Sequence, residues 1–569
     1  MKTAAPRSEH PRPDLRREEI AILNGKWDFA FGNEGEVPCF EKKITVPFVY
    51  QSKLSGVGDE RNCDRVWYRR AFTVPKRLSG RRVLLRFGAA DYYTEVFVDG
   101  KKTGAHEGGY SPFDFDVTAY DDGKEHILTV MCEDTLSKDQ PRGKQTYKEE
   151  SFSCWYVNST GLWQSVWLEA VGERYIKNIR TTTEFDAASV RFELFADAAD
   201  NLSALIEIYY KNKLIASAEA TFNGVKAETF ISLGKGFHRW SPSNPALYDV
   251  KITLLREGIK LDRLRSYFGM RKVEIKGDRI LLNGRPLYQR LVLDQGYFEG
   301  GILTAPSDEA LANDVRLIKK LGYNGARKHQ KFEDPRWLYH ADRQGLLVWC
   351  ELPSCYEFTP ESKENLLRDM AAEIERDYNH PSVIAWVPLN ESWGVPDIAK
   401  DKEMQEFADK LYDEIKKRDV TRFVSSNDGW QQCKTDVYTC HDYAAYGRDL
   451  SPTRYADAVS FLTTPSHGRK VVCDGYGKEI KPCLFTEYGG IAFALTACDG
   501  AWGYNGAVPD EETFLKRFES LTDAIKAMLF IRGYCYTQLT DVYQEVNGLL
   551  DMERNPKVPI EKIRKINLK

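Results

Sequence analysis

Two glutamates that each follow an apolar, strand-like run are the residues of this sequence with the clearest chemical potential. Glu391 lies just after the run at residues 384–389, and Glu487 lies directly after the run at residues 483–486. Two carboxyl groups can cleave a glycosidic bond, because one protonates the leaving oxygen while the other attacks the anomeric carbon or activates water. The competing interpretation is that each glutamate is a surface or ion-paired residue at the end of a strand.

The C-terminal half of the chain has the pattern of a fold that would bring these two acids together. After about residue 273, strand-like runs alternate with helical patterns, which indicates parallel β/α units. The eight candidate strands are residues 288–293, 323–327, 346–350, 383–389, 422–426, 437–440, 483–486 and 533–537. They fit a (β/α)8 TIM barrel, in which the working side chains lie at the carboxyl ends of the strands. Because Glu391 and Glu487 follow the fourth and seventh strands, we expect both at one barrel mouth.

The N-terminal half has the pattern of antiparallel β-structure. Apolar runs at residues 82–87 and 94–98 are followed by Asp99-Gly100, a strong hairpin signal, and residues 113–117 alternate strictly. We therefore predict a jelly-roll β-sandwich over residues 1–172. Short alternating strands predict an immunoglobulin-like β-sandwich over residues 173–272, which leaves residues 273–569 for the catalytic barrel.

Composition excludes several classes of protein. The 569 residues are 42% hydrophobic and 29% charged with a net charge of −4, which is typical of a globular protein without a polyanion-binding field. No run approaches the roughly 20 apolar residues of a membrane helix, and the N-terminus lacks the apolar core of a signal peptide. The 12 cysteines form no C-x-x-C pair. We expect a cytoplasmic protein that binds neither nucleic acid nor a membrane.

Motifs around both acids resemble those of glycoside hydrolase family 2, which includes β-galactosidases, β-glucuronidases and β-mannosidases. The two segments are LNESWG at 389–394 and TEYGG at 486–490. Four further segments fit the same family across almost the whole chain: GLWQSVWLE at 161–169, FGMR at 268–271, GLLVW at 345–349 and NPK at 555–557. The resemblance implies a jelly-roll sugar-binding domain, an immunoglobulin-like domain and a TIM barrel.

The resemblance also implies an activity and roles for residues. A family member is a retaining exo-β-glycosidase that acts on a small glycoside or oligosaccharide without a cofactor or catalytic metal, and homo-oligomers are common. Glu391 would be the general acid/base and Glu487 the nucleophile, while Asn390 would bind the sugar 2-hydroxyl group. Residues 140–153 would close the pocket or contact a neighbouring subunit.

Other residues near the predicted strand ends are candidates for substrate binding. Arg327 would hold the nucleophile by bidentate pairing, and Tyr443 would hydrogen-bond Glu487. His329 would contact the sugar, Trp502 would stack on its face, and Gln538 follows the eighth strand as a weaker candidate. For each residue the alternative is an ordinary structural role in packing or in a salt bridge.

Two departures from the family pattern bear on the sugar. Asp294 stands about where relatives carry a histidine, and residues 545–548 lack the lysine of the Asn-x-Lys element of β-glucuronidases. Arg327, Lys328 and Lys331 put positive charge near the mouth, which could bind a uronate carboxylate; the alternative is a solvated basic loop. We therefore favour a galacto-configured sugar, neutral or with a C6 carboxylate, as in a β-galactosidase or β-galacturonidase. A gluco-configured β-glucuronidase substrate and a furanoside stay open.

Two hypotheses from other classes compete with a glycosidase. A non-catalytic carbohydrate-binding protein could share the fold, but it need not retain both glutamates. A metal-dependent barrel hydrolase needs clustered ligands at strand ends, whereas the nine histidines are dispersed without a His-x-His pair. We expect no metal ion.

Overall fold

The protein is described by a computed structural model that covers residues 5–32, 38–450, 454–495 and 500–569. The N-terminal part is a sandwich of two antiparallel sheets whose buried faces enclose one apolar core. The four-stranded sheet contains, in spatial order, Ile20–Ile22, Val166–Val171, Arg82–Phe87 and Phe113–Asp116. The six-stranded sheet contains Lys42–Val46, Gly25–Phe31, Arg65–Phe72, His126–Glu133, Tyr93–Val98 and Lys101–Glu107. A short pair, Ala90–Asp91 and Gly161–Leu162, lies beside them.

The hairpin predicted from Asp99-Gly100 is present. Val98 pairs with Lys101, so the two residues between them form the whole turn. Asp99 and Gly100 have φ angles of 50° and 75°, as the type I′ turn of a two-residue hairpin requires.

The second region is a β-sandwich around its own apolar core. Its strands, in spatial order, are Ile176–Glu184, Ser189–Ala196, Lys226–Ser232, Lys213–Asn223, Leu202–Tyr210, Tyr248–Arg256 and Ile259–Phe268. The buried Arg17 of the N-terminal segment contacts Glu169 of the first sandwich and Asp262 of the second at 3.3 and 2.7 Å. This charge cluster joins the two sandwiches.

The C-terminal region is a barrel of eight parallel strands. In chain order they are Gln289–Asp294, Gly325–Lys328, Leu347–Glu351, Val383–Val387, Phe423–Val424, Tyr438–Asp442, Cys483–Gly489 and Ile531–Thr537. A small antiparallel sheet, formed by Val273–Lys276, Arg279–Leu282 and Arg285–Pro286, packs against the apolar barrel interior. All eight strands coincide with predicted runs, so the predicted fold class is confirmed.

Seven α-helices accompany the barrel in the part of the chain that the structure describes. They are α1 (Asp308–Lys320), α2 (Pro335–Gln344), α3 (Pro360–Asp377), α4 (Lys402–Arg418), α5 (Ala458–Thr463), α6 (Glu511–Ala527) and α7 (Ile560–Leu568). Ser307, Asp334 and Thr359 cap the first three helices, because each side chain accepts a hydrogen bond from a backbone N–H group in the first turn. Helix α5 has only six residues and is the shortest of these helices. Within the described residues, no helix is both long and apolar enough to span a membrane.

Candidate active site

Glu391 and Glu487 meet at the carboxyl-terminal mouth of the barrel. Glu391 follows the fourth strand, and Glu487 lies near the end of the seventh. One carboxylate oxygen of each glutamate and a ring nitrogen of His441 all lie within 4.8 Å of one another. This spacing suits a covalent double displacement, in which the carboxyl groups are about 5–5.5 Å apart, and leaves too little room for a water molecule between them and a sugar.

The backbone around Glu391 is strained. Glu391 and Ser392 have φ angles of 52° and 61°, in the left-handed region that costs non-glycine residues about 1–3 kcal/mol each. The loop after the fifth barrel strand holds this turn, because Glu391 N donates to Asp428 O at 2.9 Å and Ser392 N donates to Asn427 Oδ1 at 2.9 Å. The turn directs the Glu391 carboxylate back towards His441 and Glu487.

Glu487 is held as a carboxylate by its neighbours. Arg327 Nη1 donates to Oε1 at 2.7 Å, and the Tyr443 hydroxyl donates to Oε2. Burial alone would raise the pKa of Glu487, but the positive charges of His441 and Arg327 lower it to about 2. The group is therefore ionised at neutral pH, as an attacking carboxylate must be.

Arg327 pairs with three carboxylates rather than binding Glu487 alone in a bidentate pair. Its guanidinium also contacts Asp428 through Nε at 3.1 Å and Glu351 through Nη2 at 2.9 Å. Only Nη1 reaches Glu487, so the bidentate pairing predicted from the sequence is wrong. Three carboxylates, the Asn390 amide oxygen and the Thr486 carbonyl oxygen surround this fully buried guanidinium, which fixes its plane.

His441 is a central residue that the sequence analysis missed. Its Nδ1 lies 2.7 Å from Glu391 Oε1, its Nε2 lies 3.0 Å from Asp428 Oδ2, and Glu487 Oε2 is 3.5 Å from Nδ1. Burial would lower the pKa of His441, but these carboxylates raise it to about 10. The residue lies at the end of the sixth strand, so the strand-end rule that singled out both glutamates could also have found it.

Three donor atoms within 4.8 Å also have the spacing of a metal site. A histidine whose two ring nitrogens both donate to carboxylates has no lone pair for a metal ion. A second cluster of Cys350, Glu373 and Asp377 lies behind the third strand, where Asp377 already pairs with Arg376 at 2.7 Å. Neither donor set favours a metal centre.

Asn390 and His329 lie where a sugar could touch them. Asn390 Oδ1 accepts a hydrogen bond from Arg327 Nη2, while its buried Nδ2 has no partner among the described residues. A buried N–H donor without a partner is suited to a substrate hydroxyl group. His329 Nδ1 lies 3.0 Å from Glu351 Oε1, and its ring centroid is 6.3 Å from that of Trp393. Burial and nearby positive charges hold the pKa of His329 well below its usual range.

The structure corrects the expectation for Lys328, Lys331 and Asp294. Lys328 Nζ contacts Asp294 at 2.7 Å and Glu333 at 2.6 Å, and lies 4.5 Å from the ring of Trp337 in α2. Successive strand residues point to opposite faces, so Arg327 points inward and Lys328 points outward. Lys331 Nζ pairs with Glu333 at 3.0 Å and with two backbone carbonyls. These cations are buried and neutralised, so the predicted uronate site at this loop is wrong.

Tyr443, which bonds Glu487, and the predicted substrate-binding residues Trp502 and Gln538 lie around the two glutamates. Tyr443 stacks on Tyr504 with a centroid distance of 3.4 Å, and the Trp502 ring lies 5.5 Å from Tyr504. Both ends of the Gln538 amide are occupied, because Oε1 accepts from Gln295 at 2.7 Å and Nε2 donates to Asn547 at 2.8 Å. Gln538 therefore positions its neighbours rather than offering free polar atoms.

The N-terminal sandwich also contributes residues to the mouth, which the sequence did not identify individually. Tyr156 donates to Glu545, and the Trp155 ring lies 5.4 Å from that of Trp393. Ser153 O accepts a hydrogen bond from Trp502 Nε1 at 3.0 Å. The segment that contains residues 140–153 thus contacts the barrel mouth of its own chain.

Comparisons with known proteins agree with this architecture. Models described as "Glycosyl hydrolases family 2" match at residues 37–170 (sugar binding domain), 174–271 and 273–566 (TIM barrel domain). The chain is 29% identical to a β-galactosidase from Thermoanaerobacter pseudethanolicus over 66% of this chain and 50% of that one. It is 23% identical to a β-glucuronidase from Paenibacillus borealis over 97% of each. The chain therefore spans half the length of the first relative and nearly all of the second.

Solved structures share the whole fold. A β-galacturonidase from Eisenbergiella tayi superposes with a TM-score of 0.77 at 22% identity over 99% of this chain and 98% of that one. A β-glucuronidase from Bifidobacterium dentium superposes with a TM-score of 0.80 at 22% identity over 99% of both chains. At this level of identity the likeness supports the fold alone.

Proposed function

The chain belongs to glycoside hydrolase family 2, and from this premise we propose that it is a retaining exo-β-glycosidase that removes terminal β-linked sugars. The observation that carries the proposal is the separation of at most 4.8 Å between carboxylate oxygens of Glu391 and Glu487. An inverting enzyme needs about 6.5–9.5 Å between its carboxyl groups to admit a water molecule.

In the first step of the proposed reaction, Glu487 attacks the anomeric carbon. Glu391 gives its proton to the glycosidic oxygen, the bond to the aglycone breaks, and a glycosyl ester forms on Glu487. Arg327 and Tyr443 hold the attacking carboxylate through its two oxygens, which limits its rotation before attack.

In the second step, Glu391 removes a proton from water as the water attacks the same carbon. The ester bond breaks, Glu487 regains its negative charge, and the sugar leaves with the configuration that it had in the substrate. His441 and Arg327 stabilise that returning charge, because both cations face Glu487 at 3.5 and 2.7 Å.

For the sugar we propose galacto configuration, as in a β-galactoside or β-galacturonide. Glu545 and Asn547 occupy the stretch in which β-glucuronidases carry their Asn-x-Lys element, and they bond each other at 2.9 Å without a lysine. Asp294 gives no further support, since it pairs with Lys328 away from the mouth. A β-glucuronidase is the second candidate, favoured by the relative from Paenibacillus borealis that matches over 97% of both chains.

A side-by-side substrate comparison tests the proposal. Nitrophenyl β-galactoside, β-galacturonide, β-glucuronide, β-mannoside and β-galactofuranoside would be compared by kcat/KM with purified full-length protein. The galacto-configured pyranosides should be cleaved best. Preference for the glucuronide would select the second candidate, and no turnover of any β-glycoside would contradict the proposed activity.

We also propose a reducing compartment such as the cytoplasm. The eleven cysteines in the described residues are all free thiols, and eight of them are buried.

A further inference from the structure

The buried cations around the barrel mouth differ in their partners. Arg327, Lys328, Lys331 and His441 each have at least one carboxylate oxygen within 3.0 Å. Lys144 of the N-terminal sandwich is also buried, with 6% of its surface exposed. The thiol of Cys154 lies beside its ammonium group, but no carboxylate of the described residues lies within 4.0 Å of it. Burying an ammonium group without a counter-ion is unfavourable, so such a group is expected to have a functional reason.

Lys144 lies against the residues that follow the proposed acid/base. Its Nζ is 4.7 Å from the ring centroid of Trp393, which lies two residues after Glu391. Trp393 in turn contacts His329, whose pKa is lowered by burial and then by the charge of Lys144. The ammonium group therefore faces the sugar-binding side of the mouth rather than the outside of the sandwich.

The charge of Lys144 is retained at neutral pH. Burial lowers the pKa of this group, but Cys154 and the carboxylates Glu545, Glu487 and Glu391 raise it above its ordinary value. Lys144 thus interacts electrostatically with Glu391 and Glu487, but its ammonium group forms no ion pair with either carboxylate. A substrate anion could enter its coordination shell without first displacing a protein carboxylate.

The backbone of this segment is fixed to the barrel. Arg142 N and Gly143 N donate to Ser354 O at 3.0 and 3.2 Å, and Tyr156 N donates to Lys144 O at 2.8 Å. Gly143 has a φ of 61°, and a Cβ atom there would lie 2.1 Å from Gln330 O, so only glycine allows this approach. Lys144 is therefore preorganised, which reduces the entropy lost when a ligand binds.

From these contacts we propose that Lys144 is a specificity-determining residue that binds the C6 carboxylate of a uronide substrate. The assignment rests on the proposed glycosidase function. It narrows the substrate to a uronide, such as a β-galacturonide rather than the corresponding β-galactoside. Lys144, which belongs to the N-terminal sandwich, would then bind the carboxylate that the sequence suggested for the barrel loop with Lys328 and Lys331. A different role, in which Lys144 only offsets the charges of Glu391, Glu487 and Glu545, would affect acidic and neutral sugars equally.

The first test compares matched substrates that differ only at C6. We would measure kcat/KM for nitrophenyl β-galacturonide against β-galactoside, and β-glucuronide against β-glucoside. Lys144→Gln should lower kcat/KM for the preferred uronide by about 10–100-fold, the range of one charge-assisted hydrogen bond, and lower it less for the neutral partner. A wild-type preference for the neutral sugars, or equal losses for both, would overturn the assignment.

Two further variants serve as controls. Lys148→Gln removes one positive charge from the same segment, but its side chain is exposed and lies over Phe152, so the uronide-to-neutral ratio should not change. Arg469→Gln tests the half-buried cation on the other side of Glu391, which contacts Gln431 Oε1 at 3.4 Å. Loss of uronide preference in the Arg469 variant but not in the Lys144 variant would also overturn the assignment.

A binding measurement separates this assignment from the proposed activity. Calorimetry with free galacturonate, glucuronate, galactose and glucose needs no turnover, and circular dichroism would check that each variant is folded. Uronate binding that Lys144→Gln weakens at least tenfold, in a protein that cleaves no glycoside, would support the assignment and contradict the activity. Cleavage without any uronate selectivity would contradict the assignment and leave the activity in place.

Discussion

Two groups of residues in the proposed site come from different parts of the chain: the proposed cleavage centre, and the residues proposed to recognise the sugar, called the wall here. Glu391, Glu487 and Arg327 lie at the ends of parallel barrel strands, where the fold itself brings side chains together. The wall includes Lys144 and Tyr156 from the N-terminal sandwich, together with loops after the eighth strand. In the proposed function, the barrel therefore supplies the groups that cleave the bond, whereas the contact between the two regions supplies the groups that select the sugar.

The largest loss of activity is expected from a change in the proposed cleavage centre, at the attacking carboxylate of Glu487. Glu487→Gln should lower kcat/KM by at least about 10⁴-fold for every β-glycoside, because an amide cannot form the glycosyl ester. Arg327 keeps Glu351 and Asp428 as partners, so the melting temperature should stay close to that of the wild type. Glu479→Gln, a matched change at an exposed residue, is the control. Near-normal activity of the Glu487 variant would refute its assignment.

The next largest effect should depend on the leaving group. Glu391→Ala should lower kcat/KM by about 10²–10⁴-fold for alkyl glycosides, which need a proton, and by less for dinitrophenyl glycosides. Added azide should restore turnover and yield a β-glycosyl azide, detected by NMR. An equal loss for all leaving groups without an azide effect would show that Glu391 is not the acid/base.

A smaller loss should follow removal of one contact to the nucleophile. Tyr443→Phe keeps the ring that stacks on Tyr504 but removes the hydroxyl that donates to Glu487. We expect kcat to fall by about 10–100-fold, with little change in the relative rates for acidic and neutral sugars. A selective loss for one sugar would place Tyr443 in the wall rather than in the cleavage centre.

The smallest effect on activity should come from the outward-facing side of the second strand. Lys328→Gln should change the uronide-to-neutral ratio less than about threefold, because the ammonium group is buried between Asp294 and Glu333. The free energy of unfolding should fall by about 3–5 kcal/mol, since two carboxylates lose their buried partner. Urea denaturation measures the second effect, and a large change in sugar preference would contradict the outward orientation.

The sequence predicts that Glu391 and Glu487 meet at one barrel mouth, because a few physical rules decide this placement. Apolar runs fix the strands, the parallel barrel puts their carboxyl ends at one mouth, and Glu391 and Glu487 follow from that rule. His441 directly follows the predicted run at 437–440, so the same rule applies to it, but its role depends on contacts with Glu391 and Asp428 that only the fold shows.

The wall could not be predicted in the same way. Lys328 and Lys331 have the composition of a basic loop, and only the pleat of the strand and the positions of Asp294 and Glu333 show that they are neutralised. Lys144 is more than 200 positions from Glu391 in the sequence, and its approach depends on hydrogen bonds between two regions. Such long-range contacts have no local pattern.

The stereochemistry of hydrolysis tests the central claim most directly. Proton NMR during cleavage of the preferred nitrophenyl β-glycoside identifies the anomer that forms first, before mutarotation. Because carboxylate oxygens of Glu391 and Glu487 lie within 4.8 Å, the account predicts that the β-anomer forms first. Initial release of the α-anomer would mean that water attacks directly, which would contradict a glycosyl ester on Glu487.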